Sequence, residues 1–183
     1  CANQLIKFYD DFAEEREQRL AIWDPAAGFG NTVDSLIGHG FQCYLSDIVD
    51  NVDWAQRDPA QWDRPLTERE ARHYKRPVFF AANFLEVERA PAPCTIVCNP
   101  PYSYRKGVSE AFVRHALALA TGRVCMLLPN KWLSSQARYR LFAVDHPPAA
   151  ILHLCQRPSM PPGDRIHLMG NRAFRGGMID YCW

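Results

Sequence analysis

Short apolar runs alternate with helical patterns along this chain, and that alternation constrains its fold more than any other feature. Strand-like runs occupy residues 21–23, 41–45, 78–82, 94–98, 124–128, 149–154 and 177–183. Helical patterns fall between them at 31–38, where Val33, Leu36 and Ile37 keep helical spacing, and at 109–120 and 133–144. Parallel neighbours need a helix-length crossover, so strands alternating with helices predict a mainly parallel sheet covered on both faces. The expectation is an α/β fold with a seven-stranded, mainly parallel sheet. Its last two strands, joined by a Pro/Gly/Arg segment at 158–177 rather than a helix, form an antiparallel hairpin. Ligands of such sheets bind beyond the carboxyl ends of the strands, so the residues that close each run are the candidate site.

Two of those closures carry chemistry. The first apolar run ends in Asp24-Pro25-Ala26-Ala27-Gly28-Phe29-Gly30, a strand, a glycine turn and then a helix. Glycines there let backbone approach a ligand closely. An acidic residue ahead of the turn repels a pyrophosphate but attracts a cation such as the amino and sulfonium groups of S-adenosylmethionine. The run 94–98 ends in Asn99-Pro100-Pro101-Tyr102. An asparagine oxygen and a backbone carbonyl held by two prolines can together accept both protons of one NH2 group, and the tyrosine ring can stack on a planar target. The alternative is a Pro-Pro turn that only ends a buried strand.

Further closures complete a nucleoside pocket. Asp47 lies about twenty residues past the glycine turn, where an acidic side chain meets ribose hydroxyls, or else caps a turn. Asn83 and Phe84 follow the third run, where they can hydrogen-bond and stack on adenine, or be a turn Asn beside a core Phe.

On these motifs the chain resembles the S-adenosylmethionine-dependent amino-methyltransferases of the Rossmann-like class I fold, most closely the N6-adenine DNA methyltransferases, including small phage-type members. The resemblance runs from about residue 21 to the C-terminus. It implies that Asp24, Pro25, Ala26, Gly28 and Gly30 hold the methionine part of the cofactor, Asp47 its ribose, and Asn83 and Phe84 its adenine. It implies that Asn99, Pro100, Pro101 and Tyr102 are catalytic, and that the product is N6-methyladenine in DNA. Asn83 departs from the usual Asp, and the N-terminal segment has no clear Thr-Pro cofactor motif. RNA adenine methyltransferases and protein glutamine methyltransferases share the Asn-Pro-Pro-Tyr motif, and an idle nucleic-acid-binding relative is a third alternative.

Charge favours a nucleic acid. Residues 1–100 hold ten Lys/Arg against sixteen Asp/Glu, and residues 101–183 hold eleven against four. The basic half begins at the Asn-Pro-Pro-Tyr loop with Arg105 and Lys106, continues through Lys131, Arg138 and Arg140, and includes Arg157, Arg165, Arg172 and Arg175. Of these, Arg105, Lys106, Lys131, Arg157 and Arg165 are the expected contacts to DNA, or RNA, through phosphates. Residues 157–176 are the expected recognition loop, 51–77 an insertion or lid with a helix near 66–74, and 1–20 an amphipathic N-terminal helix with apolar Leu5, Phe8, Tyr9 and Phe12.

The 183 residues, 48% of them hydrophobic, suit one methyltransferase domain spanning the whole chain. No run reaches the ~18 apolar residues of a membrane span and no signal peptide is visible, so a soluble protein of a bacterial or phage-infected cytoplasm is expected, without membrane association. The seven cysteines include no Cys-x-x-Cys pair and sit mostly in apolar runs, which predicts buried free thiols rather than a metal site or disulfides. The chain lacks an initiating Met and ends in an apolar run at Tyr181-Cys182-Trp183, so a trimmed sequence is expected.

Overall fold

The computed structural model describes residues 1–32, 34–53, 67–102, 107–155, 157–160, 166–169 and 176–183. These form two compact units, Ala2–Met126 and Leu127–Trp183 together with Cys1.

The first unit is built on a five-stranded sheet. Its strands are β1 (Ala21–Asp24), β2 (Cys43–Asp47), β3 (Val78–Ala81), β4 (Cys94–Cys98) and β5 (Val124–Met126), in the spatial order β3-β2-β1-β4-β5, with every neighbouring pair parallel. β1 and β4 are buried at every position, and apart from Asp24 and Thr95 their residues are apolar, as suits interior parallel strands. β3 is an edge strand and leaves Val78 and Ala81 exposed. The chain winds from β1 through β2 to β3 and then returns to the other side of β1 as β4. The carboxyl ends of β1 and β4 therefore flank the point where the winding reverses, the place where such sheets open a crevice.

The helices of this unit are α1 (Ala2–Phe8), α2 (Ala13–Glu17), α3 (Asp34–Ile37), α4 (Glu68–His73) and α5 (Val108–Leu119). α4 and α5 fall where the sequence predicts them. The single helix expected over residues 1–20 is instead two short helices. Asp10, Asp11 and Phe12 between them all take positive φ, a conformation aspartate tolerates better than most residues. The corner turns the Phe12 ring inward until it is fully buried, edge-on to Phe41 at 6.0 Å, while Phe8 stays exposed.

α2 is anchored by a buried ionic network at the amino-terminal edge of the sheet. Glu15, 1% exposed, accepts hydrogen bonds from Thr95 Oγ1 at 3.0 Å and from the Arg123 guanidinium at 2.5 Å. Arg123 also pairs with Glu14, and its guanidinium lies 4.4 Å from the centroid of the Tyr9 ring. Thr95 Oγ1 in turn accepts from the Arg123 backbone N–H at 3.0 Å.

The second unit contains β6 (Leu128–Pro129), α6 (Asn130–Leu133), α7 (Ile166–Met169) and β7 (Tyr181–Cys182). β6 and β7 pair antiparallel in a sheet of their own, so the described residues form five strands plus two rather than the expected sheet of seven. The β4–β5 ladder ends at Cys98 opposite Met126, because the chain past Cys98 runs into Pro100 and Pro101, which have no N–H to extend it. The expected terminal hairpin survives in short form: His153 bridges Cys182, and Leu152 and Trp183 exchange backbone hydrogen bonds at 2.9 and 3.0 Å. The helix predicted over 133–144 is replaced by a 3₁₀ turn at Gln136–Arg138 and a π-helical turn at Arg140–Asp145, which bury Leu141 fully and leave Val144 exposed. All seven cysteines are unbridged, and five of them are buried. Among the described residues no helix is long and apolar enough to cross a membrane.

The network at Glu15 yields a test of the fold. Arg123→Ala strands a buried carboxylate and should lower stability by about 3 to 5 kcal/mol, whereas Glu14→Ala removes an exposed partner and should cost under about 1 kcal/mol. Urea unfolding of both variants checks this, and equal losses would contradict the assignment.

Candidate active site

Parallel pairing sets the carboxyl ends of β1, β2 and β4 side by side, with Asp24 opposite Leu45 and Trp23 opposite Ile96. Asp24, Asp47 and Asn99, far apart in sequence, thereby reach one edge of the sheet. The interior below them is aromatic. Trp23 is fully buried, donates its indole N–H to Ser46 Oγ at 3.0 Å, and meets the Phe84 ring edge-on at 5.3 Å.

Asp24 is 1% exposed. Its Oδ1 accepts the Ala26 N–H at 3.1 Å across Pro25, which bends the chain into the turn. Its Oδ2 is buried and has no hydrogen-bond partner among the described residues. Burial lifts the Asp24 carboxyl from its ordinary 3.8 to about 7; the Ala26 hydrogen bond opposes that rise, and the nearby Asp47 charge adds to it. The Cys98 thiol lies close enough to offset a further part, and burial and Asp24 push that thiol well above its usual range.

The glycine turn is sewn to β2. Gly28 donates its N–H to Asp47 Oδ2 at 2.8 Å, Ile48 N–H donates to Asp47 Oδ1 at 2.8 Å, and Ala27 N–H donates to Ser46 O at 3.0 Å. Gly28 has φ +51°, and a Cβ built on it would meet nothing within 4 Å, so this turn presents bare backbone to open space. Gly30, at φ +83°, accepts the Asp34 N–H at 3.0 Å and starts α3.

In the loop after β4, Pro100 is buried, and Asn99, Pro101 and Tyr102 are half-buried. The Tyr102 hydroxyl donates to Asn99 Oδ1. Ser109, 5% exposed in the first turn of α5, donates to the Pro101 carbonyl at 2.6 Å. The sequence reading passed over Ser109, although a serine at the start of the helix that follows a Pro-Pro loop is the signal that could have found it. Ile48 was also passed over: it stands 71% exposed directly after Asp47, an apolar side chain left uncovered at the ligand end of a strand.

Asn83 and Phe84 both make contacts within the fold. Asn83 Oδ1 accepts the Leu85 N–H at 3.3 Å, and its amide donates to Glu86 at 2.7 Å, capping the 3₁₀ turn Phe84–Glu86. Phe84 is 1% exposed and packed among Trp23, Phe112 and His115, so its ring has no open face for a ligand in this arrangement.

Of the expected nucleic-acid contacts, Lys131 is exposed on α6, and Arg157 is paired with Asp180 at 2.6 Å. Arg105, Lys106 and Arg165 lie outside the described residues, as do Val33, Arg172 and Arg175.

No family model matches the sequence, and no curated protein matches it. Solved structures do share the fold. A candidate RNA methyltransferase of Pyrococcus horikoshii aligns over 99% of this chain and 80% of its own, with 13% identity and a TM-score of 0.60. The magnesium protoporphyrin IX methyltransferase of Synechocystis, with bound S-adenosylmethionine, aligns over 98% and 76%, with 13% identity and a TM-score of 0.56. A Thermoplasma acidophilum protein aligns over 93% and 82%, with 17% identity and a TM-score of 0.50. The fold is thus the Rossmann-like α/β fold found in methyltransferases.

The Asp24 environment predicts a pH signature of stability without ligand. The unfolded chain releases this proton near 3.8 and the folded chain holds it to about 7, so stability should fall as pH rises through that window and level off above it. Asp24→Asn should flatten the fall and leave the variant more stable than the parent at pH 8 by several kcal/mol, on the order of 4. Chemical unfolding at pH 4 and pH 8 measures it; a parent chain equally stable at both would contradict the buried charge.

Proposed function

We propose that this chain transfers a methyl group from S-adenosylmethionine to the exocyclic amine of adenine in DNA. The observation that carries the reading is the convergence, on adjacent parallel strand ends, of a buried acid with an unpartnered oxygen, a carboxylate bound to a glycine turn, and the Asn99-Pro100-Pro101-Tyr102 loop. The shared fold with methyltransferase structures supports it.

The donor set suits the cofactor. An orphaned carboxylate oxygen in a desolvated site favours a cation, which would supply the charge that Oδ2 of Asp24 lacks. Asp47 keeps unused acceptor capacity on both oxygens beyond the Gly28 and Ile48 amides, enough for ribose hydroxyls. Pro25, Ala26, Gly28 and Gly30 form the bare turn against which the methionine part would lie. Adenine contact, which the sequence placed on Asn83 and Phe84, passes in this reading to the exposed Ile48 beside Asp47. When bound, S-adenosylmethionine supplies an electrophilic methyl group on a positively charged sulfur.

The chain's own part is positioning. The amine lone pair of adenine is delocalised into its ring, and accepting hydrogen bonds from both N–H groups favours a more tetrahedral nitrogen that can attack. Asn99 Oδ1 and the Pro100 carbonyl are the two acceptors. Oδ1 already accepts from Tyr102 and has a second lone pair for the incoming amine. Ser109 holds the Pro101 carbonyl and so fixes the loop that aims both acceptors. Tyr102 offers its ring to a base rotated out of the duplex. As the new N–C bond forms and the C–S bond breaks, the methylated nitrogen sheds a proton to water, so no strong base is needed; orientation and electrostatics contribute most of the acceleration.

Methyl transfer from radiolabelled S-adenosylmethionine to duplex DNA, single-stranded DNA, RNA and a protein extract, followed by nucleoside analysis, tests the reading. Label in N6-methyladenine of DNA is expected; label only in RNA or in protein glutamine would replace the substrate, and no label with any of them would overturn the activity. Asn99→Ala should lower turnover roughly 100- to 1000-fold and leave cofactor affinity unchanged by calorimetry. Cofactor affinity of the parent chain should rise from pH 5.5 to 7.5 as Asp24, at about 7, loses its proton, and Asp24→Asn should abolish that rise and weaken binding. Unchanged affinity in Asp24→Asn would remove this residue from the cofactor site.

A further inference from the structure

The second unit carries an exposed aromatic ring, Tyr139, between two arginines of the basic half. Residues 127–144 contain Lys131, Arg138 and Arg140 and no Asp or Glu. Tyr139 lies at the corner between the 3₁₀ turn Gln136–Arg138 and the π-helical turn Arg140–Asp145, and it is 66% exposed. Its ring makes no aromatic contact among the described residues. A tyrosine left this open buries little apolar area for the fold and keeps much of its ring surface available.

The flanking cations differ in how they are held. The Arg138 guanidinium lies 4.3 Å over the Trp132 ring and donates from Nε to the Trp132 carbonyl at 2.7 Å. Trp132 is itself braced edge-on against Phe142 at 5.5 Å. This planar cation is therefore fixed before any ligand arrives, with its terminal nitrogens still able to donate, and little rotamer entropy remains to be lost on binding. Arg140 is the more exposed member. Its side chain is 82% exposed, and its pairing with Asp145 at 3.4 Å is a solvated one that competes weakly with a phosphate. Lys131, exposed on α6 next to Trp132, adds a third positive charge.

We infer that Lys131, Arg138, Tyr139 and Arg140 form a binding surface for an unpaired nucleic-acid strand, with Tyr139 stacking on a base and the three cations meeting the flanking phosphates. The combination selects the partner. Cations alone suit any polyanion, but an open ring between them adds affinity only where a planar base is free to stack, as in a single strand and not inside a duplex. An acidic peptide satisfies the charges and gives the ring nothing regular to stack on. The inference deepens the proposed function, on which it rests for the kind of polymer, and it concerns binding rather than the transfer step.

The test is fluorescence anisotropy of the full chain, without cofactor, against short labelled oligonucleotides of one sequence as single-stranded DNA, single-stranded RNA and duplex DNA, with labelled polyglutamate as a fourth probe. Tyr139→Ala should weaken single-strand binding roughly 5- to 150-fold, and Tyr139→Phe, which keeps the ring, should restore it. Arg140→Ala should lower the slope of log affinity against log salt by about one. Thermal unfolding of each variant checks that this exposed position has not disturbed the fold. Single-strand affinity indifferent to Tyr139→Ala would overturn the inference, and so would duplex or polyglutamate binding that depends on Tyr139 as strongly as single-strand binding does. Tyr139-dependent strand binding without methyl transfer would uphold this surface while the activity fails; methyl transfer with Tyr139-independent binding would do the reverse.

Discussion

The hydrogen bond from the Gly28 N–H to the Asp47 carboxylate joins the turn after β1 to the end of β2, and the geometry of the candidate site depends on it. A glycine turn of this kind has no side chains to pack, so something outside it must fix its path. Asp47 does this with one oxygen while its other oxygen accepts the Ile48 amide, and Ser46 contributes its carbonyl to Ala27. The carboxylate is thereby oriented without being saturated. The same residue can shape the turn and still meet a ligand, and the turn in turn sits over Asp24, whose burial leaves one oxygen without a partner.

The two edges of the sheet handle buried charge in opposite ways. At the amino-terminal edge Glu15 is matched by Arg123 and Thr95, and the cluster ties α2 to β4 and to the start of β5. At the carboxyl edge Asp24 has the Ala26 amide and the nearby Cys98 thiol but no cation among the described residues, and burial raises its proton affinity. A matched buried pair holds a fold together, whereas an unmatched buried acid stores electrostatic potential that an incoming cation can relieve. The sheet thus pairs its buried acid with a cation at one edge and leaves its buried acid without one at the other, where the winding reverses between β1 and β4.

The second unit combines the short β6–β7 pairing with aromatic and cationic contacts. Trp132 braces Phe142 on one side and carries Arg138 on the other, so a short stretch with no long helix still presents a fixed guanidinium. Tyr139 and Arg140 project from that frame. Their exposure follows from the π-helical turn, which directs Leu141 inward and leaves its neighbours outside.

Much of this was legible in the sequence. The runs that became β1, β2, β3, β4 and β5 stand out because strands of a sheet covered on both faces are rich in apolar residues, and the motif residues Asp24, Asp47 and Asn99 could be placed at strand ends by counting alone. The helix at 108–119 followed from its periodicity. Other features depend on contacts between residues distant in sequence and carry no local signal. Nothing near Asp10–Phe12 announces a left-handed corner, because the burial of Phe12 against Phe41 rewards it. Periodicity over 133–144 could not distinguish an α-helix from a 3₁₀ turn followed by a π turn. The choice of Phe84 as a core ring rather than a ligand platform was made by Trp23, Phe112 and His115, which pack around it. By itself the sequence determined the five segments of the parallel sheet and which chemical groups close them, since both are properties of local composition. Only the tertiary structure decided which of those groups keep a free valence, because hydrogen bonding and desolvation are set by neighbours that the chain brings together through folding.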